Sequence, residues 1–148
     1  MQRWTDKHKI FRSQFSLSPG YRPWTEPAHK DAPALLGVHR KPRTLEVLDL
    51  AWASRPPAER SLPWFCDYSQ CILRKKFSEK PLCQTQTSRI YDYSRDQAIL
   101  PGEALQMQGL PVPDMDISML GPQELYSIVG QSFFAPSVAT VILAVFLN

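Results

Sequence analysis

Proline is the residue that most restricts how this chain can fold. It occurs 14 times against six glycines, and eight of the prolines fall before residue 64. Each one fixes φ and removes a backbone donor, so uninterrupted helices and central strands are hard to build in that part. Residues 1–33 mix aromatic, basic and proline residues (Trp4, Phe11, Phe15, then Tyr21-Arg22-Pro23-Trp24) without a sustained period of two or 3.6. That absence predicts loop or irregular structure. With 148 residues, 43% of them hydrophobic, the chain is long enough for one ordinary domain with a modest core.

The same residue marks where helices begin. Pro42 suits a first helical turn, and Leu45, Leu48 and Trp52 follow at helical spacing, with Glu46 and Asp49 placed on other faces. Pro56-Pro57 ends that helix. Short strands are expected around residues 70–73 and 89–93. Three further helices are predicted in the tail. Pro101 and Glu103 open the first, which stops at Gly109; Glu103 is read as a helix-start residue, and Leu105 and Met107 as core. Gly121, Pro122 and Glu124 open the second, with Leu125, Ile128 and Val129 on one face and Gly130 as its stop. The third starts near Pro136 and is apolar nearly all round through Val138, Val141, Ile142 and Val145. A helix of that kind must be buried against something. The expected fold class is mixed α/β: an irregular Pro-rich N-terminal part with a few short strands, then three short helices. Three regions are read along the chain: residues 1–66, basic and rich in Pro and aromatics; 67–95; and a helical segment, 96–148.

Charge divides the chain as sharply as proline does. All 17 Lys and Arg lie in residues 1–95 beside nine Asp and Glu, a net +8, whereas residues 96–148 hold five acids and no cation. A basic N-terminal part points to a polyanion, and Arg74, Lys75 and Lys76 are the candidate DNA-phosphate contacts. Trp64, Phe65 and Tyr68 are read either as base-stacking groups or as small-core packing. Three cysteines (Cys66, Cys71, Cys83) and three widely spaced histidines (His8, His29, His39) give no zinc pattern, so no metal site is expected, and a reducing compartment fits. Residues 1–7 lack the apolar core of a signal peptide. Residues 133–147 are apolar but too few for a membrane span, so no membrane partner is expected.

Three segments of the tail carry a resemblance. They are Pro81-Leu-Cys-Gln-Thr-Gln-Thr-Ser-Arg-Ile-Tyr91, Leu100-Pro-Gly-Glu-Ala-Leu-Gln-Met-Gln-Gly-Leu-Pro111, and Leu125-Tyr-Ser-Ile-Val-Gly-Gln-Ser-Phe-Phe-Ala-Pro136. In this order they resemble the C-terminal end of the cytosine-C5 DNA methyltransferases, whose corresponding elements read P-T-x-T-x-S, L-T-P-R-E-x-x-x-L-Q-G-F-P and Y-x-x-x-G-N-S/A-V-x-x-P. The last two are that family's ninth and tenth motifs. Matching residues are Pro101, Glu103, Gln108, Gly109 and Pro111, then Tyr126, Gly130, Ser132 and Pro136. The resemblance covers about residues 81–148, with a thinner extension back to Asp67. It implies the end of a target-recognition region over 67–95, an incomplete methyltransferase-type fold, and S-adenosylmethionine contact through Gly130, Gln131 and Ser132.

Departures from the pattern set the expected enzymology. Leu100 replaces the family's Thr and loses a side-chain N-cap, worth about 1 kcal/mol. Gly102 replaces its Arg, and Gln131 its Asn. No two glycines are two apart, so the cofactor loop F-x-G-x-G is absent. No Pro-Cys pair exists to supply the thiolate that attacks C6 of a flipped cytosine. Pro81-Leu82-Cys83 carries an inserted leucine and lies too close to the ninth motif; Cys83 is read instead as a small, partly buried thiol. The family's Glu-Asn-Val is also missing.

The chain is therefore expected to be partial, without a catalytic residue, inactive alone, and to need a separate chain carrying the catalytic domain. S-adenosylmethionine is implied by the resemblance alone and is not expected on the isolated chain. Weak, salt-dependent DNA binding and self-association are expected, in an intracellular setting that would be nuclear in a eukaryote. The alternatives are a non-enzymatic DNA-binding or scaffold protein derived from such an enzyme, and an unrelated interaction or tail-anchored protein.

Overall fold

A computed structural model describes residues 4–26, 35, 37–70, 77–80, 82–132 and 135–147. They form a mixed α/β structure with a small antiparallel sheet. The chain divides into two compact units: residues 1–82 with 89–98, and residues 83–88 with 99–148. Strand β1 (Phe65–Asp67) lies within the first of these units.

Unit 1 begins with helix α1 (Trp4–Gln14), where the sequence predicted irregular structure. Trp4, His8, Phe11 and Phe15 fall at i, i+4, i+7 and i+11, so they share a face once His8 counts as an apolar-facing residue. Trp4 meets His8 edge-on at 5.0 Å, and Phe11 lies against Phe15. Asp6 in the first turn and Arg12 in the last suit the helix dipole. Arg12 then reaches α2 (Pro42–Ala53), donating to Glu46 at 2.5 and 2.9 Å.

Helix α2 starts at its proline as expected, but it is buried on more faces than its period suggests. Val47, Leu48, Leu50 and Ala51 belong to the core, and so do the flanks of Glu46 and Asp49. Asp49 is 0% exposed. Its carboxylate accepts from Trp24 N (2.9 Å), Thr25 N (2.9 Å) and Thr25 Oγ1 (2.7 Å), with Arg22 at 3.4 Å. These bonds tie the segment 22–25 to α2 and satisfy a carboxylate that burial alone would make very costly. Burial nevertheless outweighs the donors and raises the Asp49 pKa.

The sheet has the order β2-β1-β3-β4, all antiparallel, with β2 at Phe77–Ser78, β3 at Ile90–Asp92 and β4 at Gln97–Ala98. Strand β3 meets the expectation for residues 89–93; the other expected strand, residues 70–73, lies mostly outside the described residues. β3 is buried along its whole length, so it shows no alternation. Its Tyr91 and the following Tyr93 join Trp24 and Trp52 in one aromatic cluster, with Trp24–Trp52 centroids 4.5 Å apart. Tyr93 donates its hydroxyl to the Leu48 carbonyl at 2.6 Å, linking the chain just after β3 to α2.

The His8 environment makes a prediction about acid stability. Its ring is buried, Nδ1 has no partner, and burial lowers its pKa. The folded state thus binds fewer protons than the unfolded state. His8's contribution is fully present above about pH 6.5, the unperturbed value, and is lost as pH falls through the lowered folded pKa. Urea midpoints between about pH 7 and 5 should fall in the native chain. His8→Phe, which keeps the ring contact to Trp4, should flatten that limb; an unchanged slope in the variant would remove His8 as its source.

Unit 2 holds the three tail helices near the places their prolines indicated: α3 (Pro101–Met107), α4 (Pro122–Gln131) and α5 (Ala135–Leu147). Glu103 accepts from Leu100 N at 2.8 Å, and Glu124 accepts from Gly121 N at 2.7 Å, so each carboxylate satisfies a backbone donor at a helix start. No side chain caps α3 from Leu100. Gly109, at φ 78°, closes α3 through Gly109 N→Gln106 O (2.8 Å) and Leu110 N→Leu105 O (3.2 Å). That paired pattern needs a left-handed residue, which glycine adopts without cost. Helix α4 continues one residue past the stop expected at Gly130. It packs on α3; Leu125 and Val129 are buried, while Ile128 is exposed.

Candidate functional site

The resemblance rests on three separated segments, and in unit 2 they are neighbours. Within residues 83–88 a tight turn is fixed by Thr85 and Ser88: Thr85 N donates to Ser88 Oγ (3.0 Å), Ser88 N to Thr85 O (2.9 Å), and the two hydroxyls lie 2.9 Å apart. Gln84 Nε2 reaches the Met107 sulfur of α3 at 3.8 Å. From α4, Tyr126 donates its hydroxyl to the Ile99 carbonyl at 2.8 Å, anchoring the approach to α3. One turn later, Gly130 sits directly on the Thr85-Gln86 backbone. A Cβ at Gly130 would fall 1.9 Å from Gln86 N and 2.3 Å from both Gln86 Cα and Thr85 C. Only glycine permits that approach.

The two residues after Gly130 are committed to their own helix. The Ser132 hydroxyl donates to the Ile128 carbonyl at 2.6 Å, and its backbone N–H bonds Ile128 and Val129. Gln131 is exposed, with Nε2 3.4 Å from the Ser127 hydroxyl. Gly130, Gln131 and Ser132 therefore do not make a cofactor cradle by themselves, and no chemical step is derived through S-adenosylmethionine. Cys83 is exposed rather than partly buried. Among the described residues no group of His, Cys, Asp and Glu is arranged to hold a metal.

Charge separates the units as it separates the sequence. Unit 2 carries four carboxylates and no Lys or Arg, so a polyanion would meet unit 1. Arg74, Lys75 and Lys76, the candidate phosphate contacts, lie outside the described residues. Several other cations are already engaged: Arg12 with Glu46, Arg22 with Asp49, Arg95 with Asp92, and Arg43 with the carbonyls of Ser69 and Gln70. Trp64 packs against Phe77 at 6.0 Å and Tyr68 is buried, which suits the packing role for these aromatics. Cys66 is buried beside Asp67, and desolvation pushes its thiol pKa far up, so it is no nucleophile.

No family model matches this chain, and none of the curated proteins does.

Proposed function

We propose that these residues supply the C-terminal, non-catalytic portion of a cytosine-C5 DNA methyltransferase-type protein. Unit 2 would serve as its ninth- and tenth-motif segment, and unit 1 as part of its DNA-facing region. The observation that carries this reading is the seat of Gly130 on the Thr85-Gln86 backbone. It joins the first and third of the segments that match the family in sequence, while Gln84 on Met107 ties the first to α3, and it gives the matching glycine a steric reason. The fold assigned to unit 2 is accordingly an incomplete methyltransferase-type fold. S-adenosylmethionine contact through Gly130, Gln131 and Ser132 belongs to this reading only with a catalytic portion beside them.

The isolated chain should be silent. Labelled S-adenosylmethionine and cytosine-containing duplex DNA should give no transfer above background, because neither a Pro-Cys nucleophile nor a cofactor loop exists here. Transfer that vanishes in Cys83→Ser would overturn this reading and make that exposed thiol the nucleophile.

The segregation of charge favours a second reading, a non-enzymatic DNA-binding or scaffold protein derived from such an enzyme. Affinity for duplex DNA should then be sequence-indifferent and should fall steeply with salt, as counterions are released. Arg74, Lys75 and Lys76 changed together to Ala should lower the salt slope by about three at most. Affinity that is constant across salt would count against any electrostatic DNA contact.

A further inference from the structure

Unit 1 contains a cavity that the methyltransferase reading does not use. Its volume is about 320 Å³, and its walls include Trp24, Trp52, Tyr93, Arg55, Arg60 and Ser61. Arg55 is the unusual member. It is only 2% exposed, its Nε has no hydrogen-bond partner, and among the described residues it has no carboxylate partner. One guanidinium nitrogen donates to the Leu62 carbonyl, and the group stands 5.0 Å from the centre of the Trp64 ring. A carbonyl dipole and a ring face do not neutralise a buried cation, which is normally paired. Arg60, exposed, lies 5.3 Å over the Trp52 ring on the same wall and brings a second positive charge.

The neighbouring polar groups identify what is missing. The Tyr93 hydroxyl is spent on the Leu48 carbonyl, and Trp24 Nε1 on the Tyr91 hydroxyl. Ser94 donates to Asp92, whose carboxylate Arg95 neutralises at 2.8 Å. What remains on the lining is cationic and donating: the Arg55 side chain, the exposed Arg60 guanidinium and Ser61. Two planar arginine forks with a hydroxyl suit an oxyanion held by several charge-assisted hydrogen bonds. We infer that this cavity binds a phosphoryl group, held between Arg55 and Arg60 against the aromatic wall of Trp24 and Trp52. The group belongs to a phosphate ester, either a free small molecule or the backbone of a nucleic acid. This inference rests on unit 1 alone and stands whether or not the methyltransferase reading does.

Tryptophan fluorescence tests it, since Trp24 and Trp52 form the wall. The full chain is titrated with inorganic phosphate and with a nucleoside monophosphate, against sodium chloride at matched ionic strength. A saturable change specific to the phosphates is expected. Arg60→Gln, at an exposed residue, should weaken it by about tenfold or more, the loss of charged hydrogen bonds, with far-ultraviolet dichroism confirming the fold. Arg55→Lys keeps the charge but loses the fork and should weaken it as well, with far-ultraviolet dichroism confirming the fold. Duplex DNA that displaces the mononucleotide would assign the phosphoryl group to a nucleic-acid backbone; failure to displace it would assign the group to a small molecule. A response equal to that of chloride, or one untouched by Arg60→Gln, would overturn the proposal.

Discussion

Gly130→Ala should destabilise the protein, although helix propensity alone argues the other way. Gly130 lies in the last turn of α4, where replacing an open helical glycine by alanine gains up to about 1 kcal/mol. Here the new methyl would meet the Gln86 backbone nitrogen at 1.9 Å. Backbone atoms cannot rotate aside as a side chain can, so the 83–88 turn or α4 must shift. Overpacking of this kind costs about 1–3 kcal/mol, and more where the obstacle is rigid. The sign of the change is therefore diagnostic. Gly102→Ala is the control, since its nearest contact would be a Val112 methyl at 3.9 Å and its helical position gains from alanine. Urea denaturation should place Gly102→Ala at or above the native midpoint and Gly130→Ala well below it. Equal or higher stability for Gly130→Ala would mean that α4 does not rest on residues 85–86, and the argument for the assembled segments would fail.

A second large effect concerns α5. Val141, Leu143, Val145 and Phe146 are 64%, 58%, 71% and 81% exposed, and no charged residue interrupts the helix. Full burial of such side chains is worth about 1.5–3 kcal/mol each, so leaving four in water is a substantial deficit. The chain alone should self-associate at micromolar concentration and bind hydrophobic dyes, as measured by sedimentation and dye fluorescence. Val141→Ser, Val145→Ser and Phe146→Ser together should abolish both without unfolding unit 1. A dye-negative monomer would show that the native chain covers this helix by itself. The stretch Pro122–Phe146, 25 residues, is long and apolar enough by composition to cross a membrane. The sequence estimate of 15 residues counted only the part after α4. Ser132, however, has extended backbone between the two helices, and Leu125 and Val129 of α4 are buried within unit 2. Co-flotation with phosphatidylcholine vesicles would favour the tail-anchored alternative over a missing protein partner.

Local chemistry made part of the fold legible in sequence. Pro42, Pro101 and Pro122 marked three helix starts, and Gly109 marked a stop, because φ restriction acts at the residue itself. Helix α1 is not legible because Trp4, Phe11 and Phe15 alone give no sustained period, and only burial makes His8 a member of their stripe. Strands β1, β2 and β4 span two or three residues each, too few to establish a period. The burial of Glu46 and Asp49, which the period sets on other faces than Leu45, Leu48 and Trp52, is not legible because their partners, Arg12 and Thr25, lie 34 and 24 residues away. Nothing along α2 announces them. The arginine-lined cavity was invisible for the same reason: Trp24, Trp52 and Tyr93 are brought together by tertiary packing. At Gly130 the sequence pattern supplied the glycine and its order in the chain, while the close approach to Gln86 required three dimensions.

The central claim is that these residues complete a methyltransferase whose chemistry resides elsewhere. The direct measurement is methyl transfer in trans. A cytosine-C5 methyltransferase catalytic portion, carrying F-x-G-x-G and Pro-Cys but ending before its ninth motif, is mixed with this chain, labelled S-adenosylmethionine and duplex DNA. Neither component alone should transfer label, the mixture should, and Gly130→Ala should lose the restoration. If both components are folded and the mixture stays at background with catalytic portions from several family members, the account is contradicted.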